Sequence, residues 1–368
     1  DCVMKKILLI ILVLIQVAAF QKINAQGCVA VRSMGNTCVL QKPGQATDKW
    51  LFNANNRYFH SYKHFVGRQE QKQRVAEHSE VINHSYALDL TLTRRLNNRW
   101  SMAVSLPILS NVRSSKYEHY GNSSESPNAR NKTKSFGLGD VRLSAYYWLL
   151  DPVKFHRGNI QAGLGLKLPT GDYRYQDFFI KNDSTKVLGP VDQSIQLGDG
   201  GTGFTAEINA YYNISHSIGL YGNFYYLLNP REQNGTSTAR GGTPSATAIQ
   251  YGTSTMSVPD QYMWRAGGNF MVKKFMLSAG ARMECIPASD LIGGNGGFRR
   301  PGYIISAEPG ISYTARKTTI YAAVPIALVR NRTQSEGDKI RTRITGVYAQ
   351  GDAAFADYAV NVGISVKF

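Results

Sequence analysis

The run from Tyr358 to Phe368 alternates residue by residue. Tyr358, Val360, Val362, Ile364, Val366 and Phe368 form one face, and Ala359, Asn361, Gly363, Ser365 and Lys367 form the other. Successive side chains of a strand point to opposite sides, so this segment has one wholly apolar face and one small or polar face. A strand of a soluble sheet alternates too, but it buries its apolar face under a second layer. A strand with hydrocarbon outside and a polar lumen inside needs the alternation along its whole length. The segment therefore predicts a lipid-facing barrel strand, and its parity sets the facing of the others.

Eleven further segments repeat the period of two. The first, near 49–65, shows Trp50, Phe52, Ala54 and Tyr58 on one face. The second shows Tyr86, Leu88, Leu90 and Leu92, and the third Trp100, Met102, Val104, Leu106 and Ile108. The apolar faces of the rest begin at Val141, Ile160, Phe204, Ile218, Tyr262, Phe275, Tyr303 and Ile320. Twelve is an even number, as bacterial barrels require. The connections alternate as well: short ones centre on Asn97, Pro152, His216, Lys273 and Arg316, and long ones cover 66–80, 114–134, 169–200, 229–258, 287–300 and 331–352. A soluble sandwich has no need of that alternation. We expect an all-β, transmembrane, antiparallel up-and-down barrel of 12 strands over 49–368, with both ends of the chain on the short-turn side.

The N-terminal stretch places this barrel in an exported protein. Met4-Lys5-Lys6 is a charged start, Ile7–Phe20 is apolar but for Gln16, and Ile23-Asn24-Ala25 supplies a cleavage site. This predicts a cleaved signal peptide over 1–25, with residues 1–3 upstream of the natural start. The apolar core is too short to span a bilayer as a helix. A mean hydropathy of -0.27 excludes a helical membrane protein but suits a barrel with a polar interior. Tyrosine, at 21 against 15 Phe and 4 Trp, suits the bilayer interface.

A net charge of +17 invites a nucleic-acid reading, which export argues against. Many cations fall instead in the short connections: Arg94, Arg95, Arg99, Lys154, Arg157, Lys273, Lys274, Arg316 and Lys317. There they would meet lipid headgroups, although a solvated turn accounts for each one singly. Segment 26–48 lacks the barrel pattern. An oxidising periplasm predicts a disulfide between Cys28 and Cys38, leaving Cys285 as a small apolar residue on a lipid face. The segment has two readings, a plug in the periplasmic mouth or a tail packed outside it.

Three motifs carry a family resemblance: Gly137-Leu138-Gly139-Asp140-Val141-Arg142-Leu143, Gly163-Leu164-Gly165-Leu166-Lys167-Leu168-Pro169-Thr170-Gly171-Asp172, and Gln196-Leu197-Gly198-Asp199-Gly200-Gly201. They resemble the transporter-like outer-membrane family associated with the phenol meta-cleavage pathway, which is distantly similar to long-chain fatty-acid and aromatic-hydrocarbon transporters. The closing strand, with Tyr358 and Phe368, is likewise similar to the terminal signal read by the barrel-assembly machinery. The resemblance implies a barrel in the cell outer membrane that passes small, often apolar compounds. The bottom-up reading of the glycines is structural: they let a strand bend or a bulky neighbour approach.

The faces opposite the lipid carry Arg57, Asp89, Arg113, Asp140, Arg142, Lys167, Glu207, Arg265, Arg282, Glu284, Glu308 and Asp357, with Tyr211, Tyr221 and Tyr225 among them. Charges crowded into a narrow lumen must pair, because an isolated one is costly there. They either brace a well-filled interior or line a conduit that selects anionic or amphipathic cargo, with the tyrosines stacking on aromatic rings. The resulting expectation is passive uptake of small apolar, aromatic or anionic molecules without metal or cofactor. Bilayer lipid and lipopolysaccharide are the surrounding partners.

Two other classes compete. A barrel phospholipase needs Ser and His on one face, yet His60-Ser61 and His84-Ser85 are adjacent and face opposite sides. A surface-interaction barrel with a closed lumen would use its loops, above all 114–134 with Lys116, Tyr117, Tyr120, Arg130, Lys132 and Lys134. Next comes 331–352, with Lys339, Arg341 and Arg343 beside Arg330 and Arg332.

Overall fold

The computed structural model describes residues 48–368. The signal peptide, the Cys28–Cys38 pairing and all but the last residue of segment 26–48 lie outside the described residues. The barrel strands, in order, begin with Trp50–Val66, Ile82–Arg95 and Trp100–Ser115. The fourth is split into Asn131–Leu138 and Arg142–Trp148, and the fifth to ninth are Gly158–Lys167, Gly203–Asn213, Ile218–Leu228, Gln261–Val272 and Phe275–Ile286. The tenth is split into Gly302–Ala307 and Gly310–Ala315, the eleventh into Thr318–Ala323 and Ile326–Arg332, and Ala353–Lys367 is the twelfth. Neighbouring strands pair antiparallel, the upper piece of the fourth excepted on its fifth-strand side, and the twelfth returns to the first. Trp50 N–H donates to Phe368 O at 2.9 Å and Phe368 N–H to Trp50 O at 3.0 Å, so the alternating segment closes the wall.

Closure leaves no exposed edge between the first and last strands, which is how a sheet satisfies its backbone in hydrocarbon. The expected parity holds: Met102, Val104, Leu164, Ile208, Leu277 and Ile320 are exposed on the outside. Around the short turns aromatic rings stand beside cations. Arg94 lies 5.2 Å over Trp50, Arg99 5.9 Å over Tyr147 and Arg157 5.5 Å over Tyr212. Cys285, expected against lipid, faces outward but is buried among Tyr262, Met283 and Tyr303.

The breaks have separate causes. Pro309 and Pro325 lack the N–H that a ladder needs, so the tenth and eleventh strands are each interrupted there. The fourth breaks at Gly139-Asp140-Val141, and its upper piece pairs with the third strand alone. The stretch 131–134 was expected in a loop. It is strand with Lys132 and Lys134 outside and Thr133 buried inside, so neither face is apolar and the period leaves no trace. The loops also hold order of their own: a hairpin of Gln176–Ile180 with Lys186–Pro190, a pair of Gln233–Ser237 with Thr255–Ser257, and a helix Glu336–Thr345. The hairpin stands beside the upper fourth strand, where Asp177 Oδ2 accepts the Lys134 N–H at 2.7 Å. Its Phe178 and Leu188 are half exposed, extending the apolar outer surface formed by Phe136 and Leu138.

Inside, small residues make room for flat tyrosines. A Cβ at Gly363 would stand 2.3 Å from the Tyr321 ring, whose hydroxyl lies 3.2 Å from Asn53 Oδ1 and 3.1 Å from Asn55 Oδ1. Gly363→Val should therefore destabilise the folded barrel by about 1–3 kcal/mol through overpacking. Urea unfolding in micelles checks this, and an unchanged midpoint would show that the ring yields freely.

Candidate functional site

The polar interior is organised in three places, and the three motifs meet at the first. Asp140 Oδ1 accepts the Gly171 N–H at 3.0 Å, and Oδ2 accepts the Asp199 N–H at 3.2 Å. Thr170 Oγ1 donates to Gly139 O at 3.0 Å and accepts the Val141 N–H at 2.9 Å. Lys167, almost fully buried, is gripped by Asp199 and lies 3.8 Å from Asp140. A Cβ at Gly198 would meet Asp140 Oδ1 at 2.6 Å. The motifs form one junction at the break in the fourth strand, where carboxylate and hydroxyl replace the missing ladder bonds.

The second place is the lumen wall. Glu284 receives Arg57 and Arg282, each at 2.9 Å, while Glu308 receives Arg265 at 2.7 Å and stands 3.8 Å from Arg282. Arg265 in turn lies 5.9 Å over the Tyr221 ring. Nearby strands contribute Glu207, which accepts from Tyr146 Oη at 3.1 Å and from the Asn209 and Asn223 amides. Arg142 lies 5.5 Å over Tyr225, and the Tyr211 ring meets Trp148 edge-on at 5.9 Å. Asp89 is buried opposite Asn55 and Pro107. Asp357 stands apart from this ladder: register shifts opposite His60 and Tyr62 set it beside Lys63 at 2.8 Å and Arg330 at 2.5 Å.

The third place, at the loop end, contains Arg113 and several residues that the sequence reading missed. Arg113 donates Nε to both oxygens of Glu118 at 3.0 Å and stands 3.4 Å from Asp192. Arg300 forms a two-pronged pair with Asp192 at 2.8 and 2.6 Å. Arg240 reaches Glu118 at 2.9 Å and donates to Tyr117 Oη at 2.8 Å, with its plane 4.6 Å over that ring. Burial alone would raise the carboxyl pKa of Asp192, but Arg113 and Arg300 outweigh it and hold it well below the usual range. Glu118 is lowered in the same way, its burial outweighed by Arg113 and Arg240. Beside this cluster lies a cavity of about 360 Å³, lined by Lys181, Asp192, Arg240, Met256 and Phe298 among others.

The loops expected to face outward are thus partly turned in. Glu118 is fully buried, and Tyr117 lines the cavity. Arg332 is buried against Asp338 at 3.1 Å, which also caps the helix Glu336–Thr345. Only local signals existed for the missed residues, such as Asp192 capping the turn at Ser194. Nothing local joins Asp192 to Arg300, which is 108 residues away.

The buried histidines have partners of their own. His64 Nδ1 lies 2.7 Å from Asp352, and its Nε2 accepts the Val81 N–H at 2.8 Å. His119 Nδ1 accepts the Ile180 N–H at 3.0 Å, tying loop 116–130 to the 176–190 hairpin. Burial, helped by Lys181 and opposed by Glu118, pushes the His119 imidazole down to about 4. An opened loop would titrate near its ordinary value of about 6.5, so between those values the open form binds more protons. The closed arrangement therefore weakens as pH falls from about 6.5 to 4. Amide exchange at 116–120 and 178–181, corrected for intrinsic rate, should speed up over that interval while the barrel strands hold; a flat profile would show that His119 does not tie the loops.

No family model and no curated protein matches this chain. Among solved structures it is similar to an outer membrane channel from Pseudomonas putida F1, with 12% identity over 89% of this chain and 100% of that one, at a TM-score of 0.55. Further similarities are a FadL homologue of Pseudomonas aeruginosa (9% identity, 88% and 90% covered, TM-score 0.42) and the toluene transporter of Ralstonia pickettii (11%, 94% and 99%, 0.41). Autotransporter translocator domains are also similar, at TM-scores of 0.43 and 0.44. At 12% identity the Pseudomonas putida channel shows the fold alone: the twelve-stranded antiparallel barrel of this chain is similar to the barrel of that outer membrane channel.

Proposed function

We propose that this chain is a passive channel of the outer membrane for small apolar, aromatic or anionic molecules. The carrying observation is that a closed wall with an apolar outer belt surrounds a lumen of paired charges, beneath a cavity built at the loop end. A belt of this kind belongs in a bilayer, and the rings and cations at the short turns suit headgroups. Recognition by assembly machinery through Tyr358 and Phe368, and contact of the loop end with lipopolysaccharide, belong to the same reading. The named residues act as binding and positioning groups, without covalent chemistry.

The test is conductance of the purified protein in planar bilayers, with liposome uptake of aromatic acids, fatty acids and sugars. Steps of conductance and selective uptake support the channel. Silence in both would favour a structural or surface-binding barrel, which the ion pairs across the lumen would brace. Deleting 26–48 and finding higher conductance supports a plug, and unchanged conductance refutes it. Hydrolysis of phospholipid by the pure protein would overturn the non-enzymatic reading.

A further inference from the structure

We propose that the loop-end cavity is a binding site for a small monocarboxylate with a compact apolar body, of phenylacetate size, whose carboxylate is received by Lys181. This rests on the channel reading for its purpose but on the cavity alone for its chemistry.

The cavity is about 360 Å³, at the lower end of the roughly 300–1,000 Å³ typical of ligand sites. Two cations line it, and they differ in what they already hold. Arg240 is committed to Glu118, Tyr117 and Asp192. Lys181 donates to the Glu118 backbone carbonyl at 2.8 Å, and among the described residues no carboxylate lies within 4.0 Å of its ammonium. An ammonium has three donors, so Lys181 retains capacity for an anion.

The surrounding charge favours the same ligand. At the cavity Arg113, Arg240 and Arg300 meet two carboxylates, Glu118 and Asp192, with Asp352 acting on Arg300 from beyond, and Lys181 stands beside this group. Burial and then the Arg240 charge lower the Lys181 pKa, with Glu118 opposing, and a nearby anion would favour the charged ammonium. The rest of the wall is mixed: Val191, Met256, Phe298 and Pro190 form an apolar side that would take a ring or short alkyl body, and Gln193, Thr238 and Thr253 are among the polar groups of the remainder. A bare inorganic anion would leave that apolar side wet, and a neutral ring would leave the ammonium with the Glu118 carbonyl and the Phe179 ring but no counter-charge.

Isothermal titration of the full chain in micelles with phenylacetate, phenylacetamide, acetate and inorganic phosphate tests this. We expect phenylacetate to bind at least tenfold more tightly than either phenylacetamide or acetate, which differ from it in charge and in body respectively. Lys181→Gln should weaken phenylacetate about tenfold and leave phenylacetamide unchanged, while Lys181→Arg should restore most of the loss; far-UV circular dichroism confirms that each variant is folded. Equal binding of phenylacetamide, or no effect of Lys181→Gln, would overturn the carboxylate. Equal binding of phosphate would overturn the apolar body. Because equilibrium binding is read rather than flux, a conducting channel that binds none of these ligands defeats only this inference. Binding without conductance would defeat only the channel.

Discussion

Asp192→Asn should release the loop end of the barrel while leaving the wall closed. The native carboxylate meets Arg300 through both oxygens, stands 3.4 Å from Arg113 and 3.7 Å from Arg240, and accepts the Ser194 N–H at 3.0 Å. The amide keeps the shape and the cap but cancels the charge, leaving three guanidiniums to share Glu118. Removing one partner from a buried pair costs about 3–5 kcal/mol, because the remaining charges cannot be rehydrated in place. That is enough to open a locally stabilised unit but falls on loops, which are satisfied separately from the strand ladders. Trypsin should cut the variant within 174–190 and 231–240 at rates at least tenfold above wild type, while the unboiled protein keeps its compact electrophoretic mobility. An unchanged digestion pattern would show that the cluster does not latch the loops.

Glu284→Gln should act on the lumen wall itself. Arg57 and Arg282 both bond this carboxylate at 2.9 Å, and its loss leaves Arg282 only Glu308, 3.8 Å away and already paired with Arg265 at 2.7 Å. The expected cost is again about 3–5 kcal/mol, read as a lower urea midpoint in micelles. The uncovered positive charge should also shift the reversal potential in a salt gradient toward anions. The double variant Arg282→Met with Glu284→Met separates the two consequences. It removes opposite charges together, so much of the lost stability should return while the anion preference falls. A double variant as unstable as Glu284→Gln would mean that packing, rather than charge, is what Glu284 supplies.

Much of the architecture was legible because a barrel strand is a local statement. Trp100, Met102 and Val104 declare their facing without reference to any partner, and the lengths between such runs give the order of turns and loops. Parity alone puts Arg57, Glu207, Arg265, Arg282 and Glu284 on the face opposite the exposed apolar belt, and it says nothing of what passes them. Parity failed where the chain departs from regular pairing. Asp357 lies in a register shift, between the pairs Phe59–Ala359 and Ser61–Ala356, and 131–134 is polar on both faces. The motif residues Asp140, Thr170 and Asp199 were visible as turn-formers, but their meeting at one junction was not.

Alternation between hydrocarbon and lumen is a property of each short segment, so the sequence alone determined the barrel, its strand number, its facing and the closing role of the run ending at Phe368. Which charges meet depends on bringing Glu118 to Arg240 and Asp192 to Arg300, across more than a hundred residues. Only the tertiary structure decided that, because loops without a period carry no local record of their partners and are placed by the strands that hold their ends. The loop-end latch, the cavity and the placing of the Lys181 ammonium beside it all belong to this second kind of information.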